Sequence, residues 1–159
     1  MVNTKWLSAE EMAAWRKFVA VVQLLPGALD TQLQRDADLS HFEYFVMAIL
    51  SEAPSRTLRM TRLALETNAT LPRLSHVIAR LEKRGYVKRS PCEEDRRATN
   101  ATLTASGWEK VVASAPGHVG AVRDAVVDPL DARDIADLDR IMGRMLARLD
   151  TEGRLSASQ

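Results

Sequence analysis

Apolar residues return every three or four positions over the first part of the chain. Met12, Trp15, Val19 and Val22, widened by Phe18 and Leu25, make one helical stripe, opened by Ser8 as N-cap ahead of Glu10 and Glu11. Pro26-Gly27 falls inside this stripe, which Leu29 and Leu33 resume. The pattern therefore predicts a long first helix kinked at Pro26-Gly27, or two shorter ones. Ser40 with Glu43 is a capping box that starts the next helix, with Phe42, Phe45, Val46, Ile49 and Leu50 on its buried side and Ala53-Pro54-Ser55 at its end.

Two short helices follow, at about 60–66 and 71–84, separated by Thr67-Asn68-Ala69-Thr70, which is the spacing of a helix-turn-helix. In the second, Leu71, Leu74, Val77, Ile78 and Leu81 form the apolar stripe. Pro72, Arg73, Ser75, His76, Ala79, Arg80 and Lys83 are left outside, with no carboxylate among them. Pro72 belongs to the first turn, where its missing N–H costs no hydrogen bond, and Gly85 is expected as a left-handed cap. Segments 86–89 and 98–103 read as the strands of a β-hairpin around a turn at 90–97.

Thr104, Ser106 and Gly107 open a further helix, expected to break at Pro116-Gly117 and continue through Val119, Val122, Val126 and Val127 to Pro129. The last helix carries Ile135, Leu138, Met142, Met145 and Leu149, spaced 3, 4, 3 and 4 apart. A repeat of 3.5 asks for a helical partner, from the same chain or a second copy. Residues 151–159 are polar and read as a frayed tail. The predicted fold is mainly α with a small β-hairpin wing, a winged helix-turn-helix lobe between terminal helices.

Composition narrows the function. At 159 residues, 46% hydrophobic and 27% charged, the chain is one globular domain. One cysteine makes no internal disulfide, and three scattered histidines make no metal cluster. With no nucleophile elbow, glycine-rich phosphate loop or paired carboxylates, neither an enzyme nor a cofactor is predicted. No apolar run of about 18 residues and no charged-then-apolar leader is present, so a cytoplasmic protein without membrane contact is expected. The formal charge of +1 would argue against a polyanionic partner if it were evenly spread. It is not: residues 56–97 hold eleven Lys or Arg against five acids, a net of +6, which leaves −5 on the remainder. A basic middle between acidic flanks is an electrostatic footprint for phosphates.

Helix, helix, Gly85 and a basic hairpin in this order resemble the MarR family of winged helix-turn-helix regulators. The carrying residues are Arg80-Leu81-Glu82-Lys83-Arg84-Gly85-Tyr86-Val87, then Asp95-Arg96-Arg97-Ala98 and Leu103-Thr104-Ala105-Ser106-Gly107. Leu39-Ser40 with Glu43-Tyr44, and Leu58-Arg59-Met60 with Leu63-Ala64, are also similar. The resemblance covers residues 8–150. It implies an N-terminal dimerisation helix (1–37), a winged DNA-binding region (38–104), C-terminal dimerisation helices (105–150) and a flexible tail (151–159). It also implies a homodimer on a palindromic operator in double-stranded DNA, repressing its own or a neighbouring gene until a small ligand releases it. Met12, Ile135, Leu138, Met142, Met145 and Leu149 would then belong to the dimer contact.

A recognition helix in the major groove needs donors and few acids. Arg73, near the helix start, is the first candidate for base reading. Ser75 and His76 suit bases or phosphate, Thr70 a phosphate at the cap, and Arg80 and Lys83 contacts further along. Arg89, Arg96 and Arg97 surround the wing tip. Arg97 matches the family's wing arginine, which enters the minor groove, and Asp95 would hold an arginine in place. For a phenolic or anionic effector, the family's pocket lies between dimerisation helices and lobe. Trp15, Phe18, Tyr44, Phe45 and Met60 would line it, with His41, Arg16 or Arg59 meeting the anion, although aromatic and Met residues at helical spacing are more often plain core. His118, past Pro116-Gly117, reads as a surface or capping residue. Two other readings remain: a winged-helix module for protein contacts, which would present an apolar or acidic recognition face, and a redox regulator using Cys92, which the three acids after it disfavour.

Overall fold

The computed structural model describes residues 4–92, 95, 97–151, 153 and 155. In chain order the elements are α1 (Ala9–Ala37), α2 (His41–Glu52), a 3-10 turn (Pro54–Arg56), β1 (Thr57–Arg59), α3 (Met60–Glu66), α4 (Leu71–Lys83), β2 (Val87–Pro91), β3 (Thr99–Leu103), α5 (Ala105–Val122), a π-helical turn (Arg123–Val127) and α6 (Ala132–Leu149). Residues 152, 154 and 156–159 of the predicted tail, and Arg96 of the wing, lie outside the described residues. Among those described, no helix is long and apolar enough to cross a membrane.

Both interior prolines are absorbed. α1 is a single helix through Pro26, capped by a complete Ser8–Glu11 box and stopped by a left-handed Asp38. The apolar stripe keeps its phase across Pro26, so Leu29, Gln32, Leu33 and Ala37 still reach the lobe. The break expected at Pro116-Gly117 does not occur. α5 continues to Val122, and regular geometry ends instead at the π-helical turn, where the Asp128 N–H donates to the Arg123 carbonyl (2.8 Å). A proline removes one intrahelical bond, and packing of α5 on α1 and α2 outweighs it. Gly117 serves that packing: a Cβ there would lie 3.1 Å from Gln32 Nε2.

Periodicity gave no sign of β1, which is three residues long. It pairs antiparallel with β3 (Thr57 opposite Thr102, Arg59 opposite Asn100), making a sheet in the order β1-β3-β2. The Thr57 and Thr102 hydroxyls share a hydrogen bond of 2.8 Å across that pair.

The core lies within the lobe. Leu33, Leu39, Val46, Met47, Leu50, Leu63, Leu74, Ile78, Leu81 and Ala101 have no measurable exposure. α4 buries Leu74, Val77, Ile78 and Leu81, whereas Leu71, which the stripe includes, is exposed in the first turn. α4 ends in a Schellman motif: Gly85 has φ +77°, its N–H donates to the Glu82 carbonyl (2.9 Å), and the Tyr86 N–H to that of Leu81 (3.0 Å). Thr104 joins this end to α5. Its hydroxyl donates to the Gly85 carbonyl (2.7 Å) and accepts the Gly107 N–H (3.0 Å). α6 buries nothing, and in α1 no residue before Leu29 is buried.

Candidate nucleic-acid interface

The turn between α3 and α4 is built from local hydrogen bonds. The Thr67 hydroxyl donates to the Leu63 carbonyl (2.7 Å), Asn68 takes the left-handed conformation at φ +48° that asparagine tolerates, and Thr70 caps α4 by accepting the Arg73 N–H (3.4 Å). At 100° per residue, the outer face of α4 then divides into three lanes. Pro72, His76 and Lys83 run along the middle and are exposed. Arg73 and Arg80 flank them toward the start of α2, where the Arg73 guanidinium lies 4.3 Å from the centre of the Phe42 ring and Arg80 Nε donates to Glu43 Oε1 (3.0 Å). Ser75 lies on the opposite flank, facing the wing.

A third arginine completes the contact with the α1–α2 junction. Arg84 donates to the Asp38 carbonyl (2.7 Å) and to Asp38 Oδ2 (3.0 Å). The reading helix is thus fixed to the segment between α1 and α2 as well as through its apolar side.

Arg89 and Arg97 share a cleft of about 200 Å³ between α4 and the wing with Thr61, Ser75 and Thr99, yet they are held differently. Arg89 is locked to Glu82 at the end of α4 through its backbone N–H (3.0 Å), Nε (2.9 Å) and Nη2 (2.7 Å). The hydrogen bonds from Arg89 hold the Glu82 carboxyl below the usual carboxylate range. Arg97 is exposed, and its guanidinium has no partner among the described residues. Asp95 accepts the Arg97 backbone N–H (3.0 Å) and no guanidinium among the described residues, which do not include Arg96. Two residues apart, a carboxylate reaches its own turn's N–H more readily than a long side chain. On the other face of the wing, Arg59, Arg62 and Lys88 line a groove of about 770 Å³, with Arg62 paired to Glu66 (2.5 Å).

The residues read as an effector site do not converge on one cavity. Met60 is core, Trp15 is half exposed and stacks with Phe18 at 6.1 Å, Arg16 and Phe45 are exposed, and Arg59 lies by the sheet groove. His41 and Tyr44 both pack on His118, which is no surface cap: its ring is half buried, 5.7 Å from His41 and 4.6 Å from Tyr44. The helix carried through Pro116 turns it inward. His118 Nδ1 and Gln32 Oε1 are buried without a hydrogen-bond partner among the described residues. Cys92 is also buried, and a thiol shielded from solvent is poorly placed to react.

Burial lowers both imidazoles below the ordinary 6.5, opposed at His41 by Asp30 and reinforced at His118 by His41. Depressed histidine values stabilise the fold above the unfolded value and lose that contribution as pH falls through the folded one. The thermal midpoint is therefore expected to drop between about pH 7 and pH 5, more steeply than in His118→Asn. Equal slopes would exclude His118 as a source.

Helix-turn-helix, wing and a one-sided set of cations together define a winged helix-turn-helix protein of the regulator class. A MarR family profile matches residues 39–99. The structure is similar to that of Sco3205, a MarR family transcriptional regulator from Streptomyces coelicolor in complex with DNA, at 46% identity, with 92% of this chain and 91% of that one covered and a TM-score of 0.86. It is also similar to AbsC from the same organism, at 36% identity, with 93% and 99% covered and a TM-score of 0.87. A Bacillus subtilis relative, the uncharacterized HTH-type transcriptional regulator YfiV, is 33% identical over 65% of this chain and 63% of its own length. The chain thus spans somewhat under two thirds of that curated relative. The protein belongs to the MarR family of transcriptional regulators.

Proposed function

We propose that the protein is a homodimeric, sequence-specific DNA-binding repressor of its own or a neighbouring gene, with two winged lobes on a palindromic operator. The observation that carries this reading is the outer face of α4, with His76 and Lys83 between Arg73 and Ser75 and no acid on the middle lane, set beside a wing whose Arg97 guanidinium has no partner among the described residues. The DNA-bound Streptomyces relative supports it. The uncovered apolar residues of α1 and α6 support the dimer. The unpartnered buried atoms at His118 and Gln32 support a small polar ligand beside His41 and Tyr44, whose binding releases DNA.

The test is a titration of DNA from upstream of the gene at several salt concentrations. Affinity is expected to fall linearly with salt on a log–log plot, because the protein's Lys and Arg displace condensed counterions from the DNA phosphates. Arg97→Ala is expected to weaken operator binding by about 1 to 3 kcal/mol while the dimer persists, the range for one lost groove contact. Unchanged affinity would remove the wing from the interface.

A further inference from the structure

Glu43 is too deeply set to touch DNA, since its side chain is only 8% exposed, yet both of its oxygens are engaged. Oε2 accepts the Ser40 N–H (2.8 Å), closing the capping box of α2, and Oε1 accepts Arg80 Nε (3.0 Å). Arg80 is half exposed, and its two Nη groups have no partner among the described residues. A guanidinium is planar and rigid, so fixing its Nε edge against an anchored carboxylate fixes the direction of its other edge. That edge presents two parallel donors to a pair of acceptors, either guanine O6 and N7 or two phosphate oxygens. Arg89 differs, because Glu82 takes both its Nε and its Nη2.

We propose that Glu43 is a positioning residue for DNA recognition: it clamps the Nε edge of Arg80 so that the Nη edge is held ready for a paired acceptor on the operator. This rests on the DNA-binding reading above. The carboxylate itself contacts no DNA, and its contribution is to the geometry of Arg80. Glutamine at position 43 would put an NH2 in place of one of the two oxygens, so that either the Ser40 N–H or Arg80 Nε would face another donor.

The test measures the affinity of wild type, Glu43→Gln, Arg80→Ala, the double variant and Ser40→Ala for upstream operator DNA and for a scrambled duplex of equal length, all corrected for folded fraction. Ser40→Ala opens the same capping box but leaves Arg80 clamped. Glu43→Gln and Arg80→Ala are each expected to weaken operator binding about tenfold, the double variant no more than Arg80→Ala alone, and Ser40→Ala less than about twofold despite a lower melting temperature. A loss confined to the operator assigns guanine as the acceptor; an equal loss on scrambled DNA assigns phosphate. The inference is overturned if Glu43→Gln binds like wild type, if it weakens the Arg80→Ala variant as much as it weakens wild type, or if Ser40→Ala matches it. Absence of DNA binding by the wild-type protein overturns the functional reading and this inference with it, whereas wild-type binding with an unaffected Glu43→Gln variant overturns this inference alone.

Discussion

Gly107→Ala is expected to destabilise the protein by about 3 kcal/mol or more. In the middle of a helix the same exchange ordinarily stabilises by up to about 1 kcal/mol, because alanine has the higher helix propensity. Here the sign reverses. A Cβ on Gly107 would fall 2.2 Å from the Tyr86 carbonyl oxygen and 2.6 Å from Leu103 Cδ1. Neither neighbour has room to withdraw: the Tyr86 carbonyl accepts the Thr104 N–H (3.0 Å), and Leu103 is buried at the root of the wing. The first turn of α5 would have to lift away from the end of α4, breaking the Thr104 bridge. Gly143 is the control, since nothing lies within 4 Å of its would-be Cβ and it sits off the apolar stripe of α6. Urea unfolding of the two variants checks this; a Gly107→Ala protein as stable as Gly143→Ala would show that helix and strand do not approach so closely.

Met142→Lys is expected to have the largest effect on function. Met142 lies at the centre of the α6 stripe, between Leu138 and Met145, and α6 buries no residue within one protomer. Lysine has nearly the helix propensity of methionine, so the helix itself should persist. What changes is the cost of burying that face against a second copy, where an ammonium without a partner is strongly unfavourable. Sedimentation is expected to show a shift from dimer to monomer with helical circular dichroism retained. Operator affinity should then fall by about 10² or more, because two linked half-sites become two separate ones. A variant that stays dimeric would place the contact elsewhere.

Sequence periodicity made most of the lobe legible almost to the residue, because α2, α4 and the helix that follows the wing carry their own starts or stops: Ser40 with Glu43, Thr70, Gly85, Thr104. It failed where tertiary packing overrode local chemistry. Pro116 looks like a break only until α5 lies against α1 and α2, and His118 looks exposed only if the helix stops there. β1 is too short for alternation to register and exists because β3 has an open edge. The candidate DNA contacts were legible as residue types, but their pairing was not. Nothing in the spacing of Arg80, Arg89 and Arg97 says that the first leans on a carboxylate 37 positions earlier, the second is locked to the end of α4 and the third has no side-chain partner among the described residues.

The central place of β3 has a mechanical consequence. Because β1 runs directly into α3, and β2 follows α4 after the Gly85 turn, the strand between them ties both helices of the reading head to the wing. Arg84 ties the same head to the end of α1 at Asp38, and Glu43 ties it to α2. A head braced on so many sides is poorly suited to changing its own shape. In a dimer, a ligand lodged near His118 would switch such a protein off by altering the distance and tilt between two stiff heads, so that neither half-site is lost but their spacing no longer fits one face of the double helix.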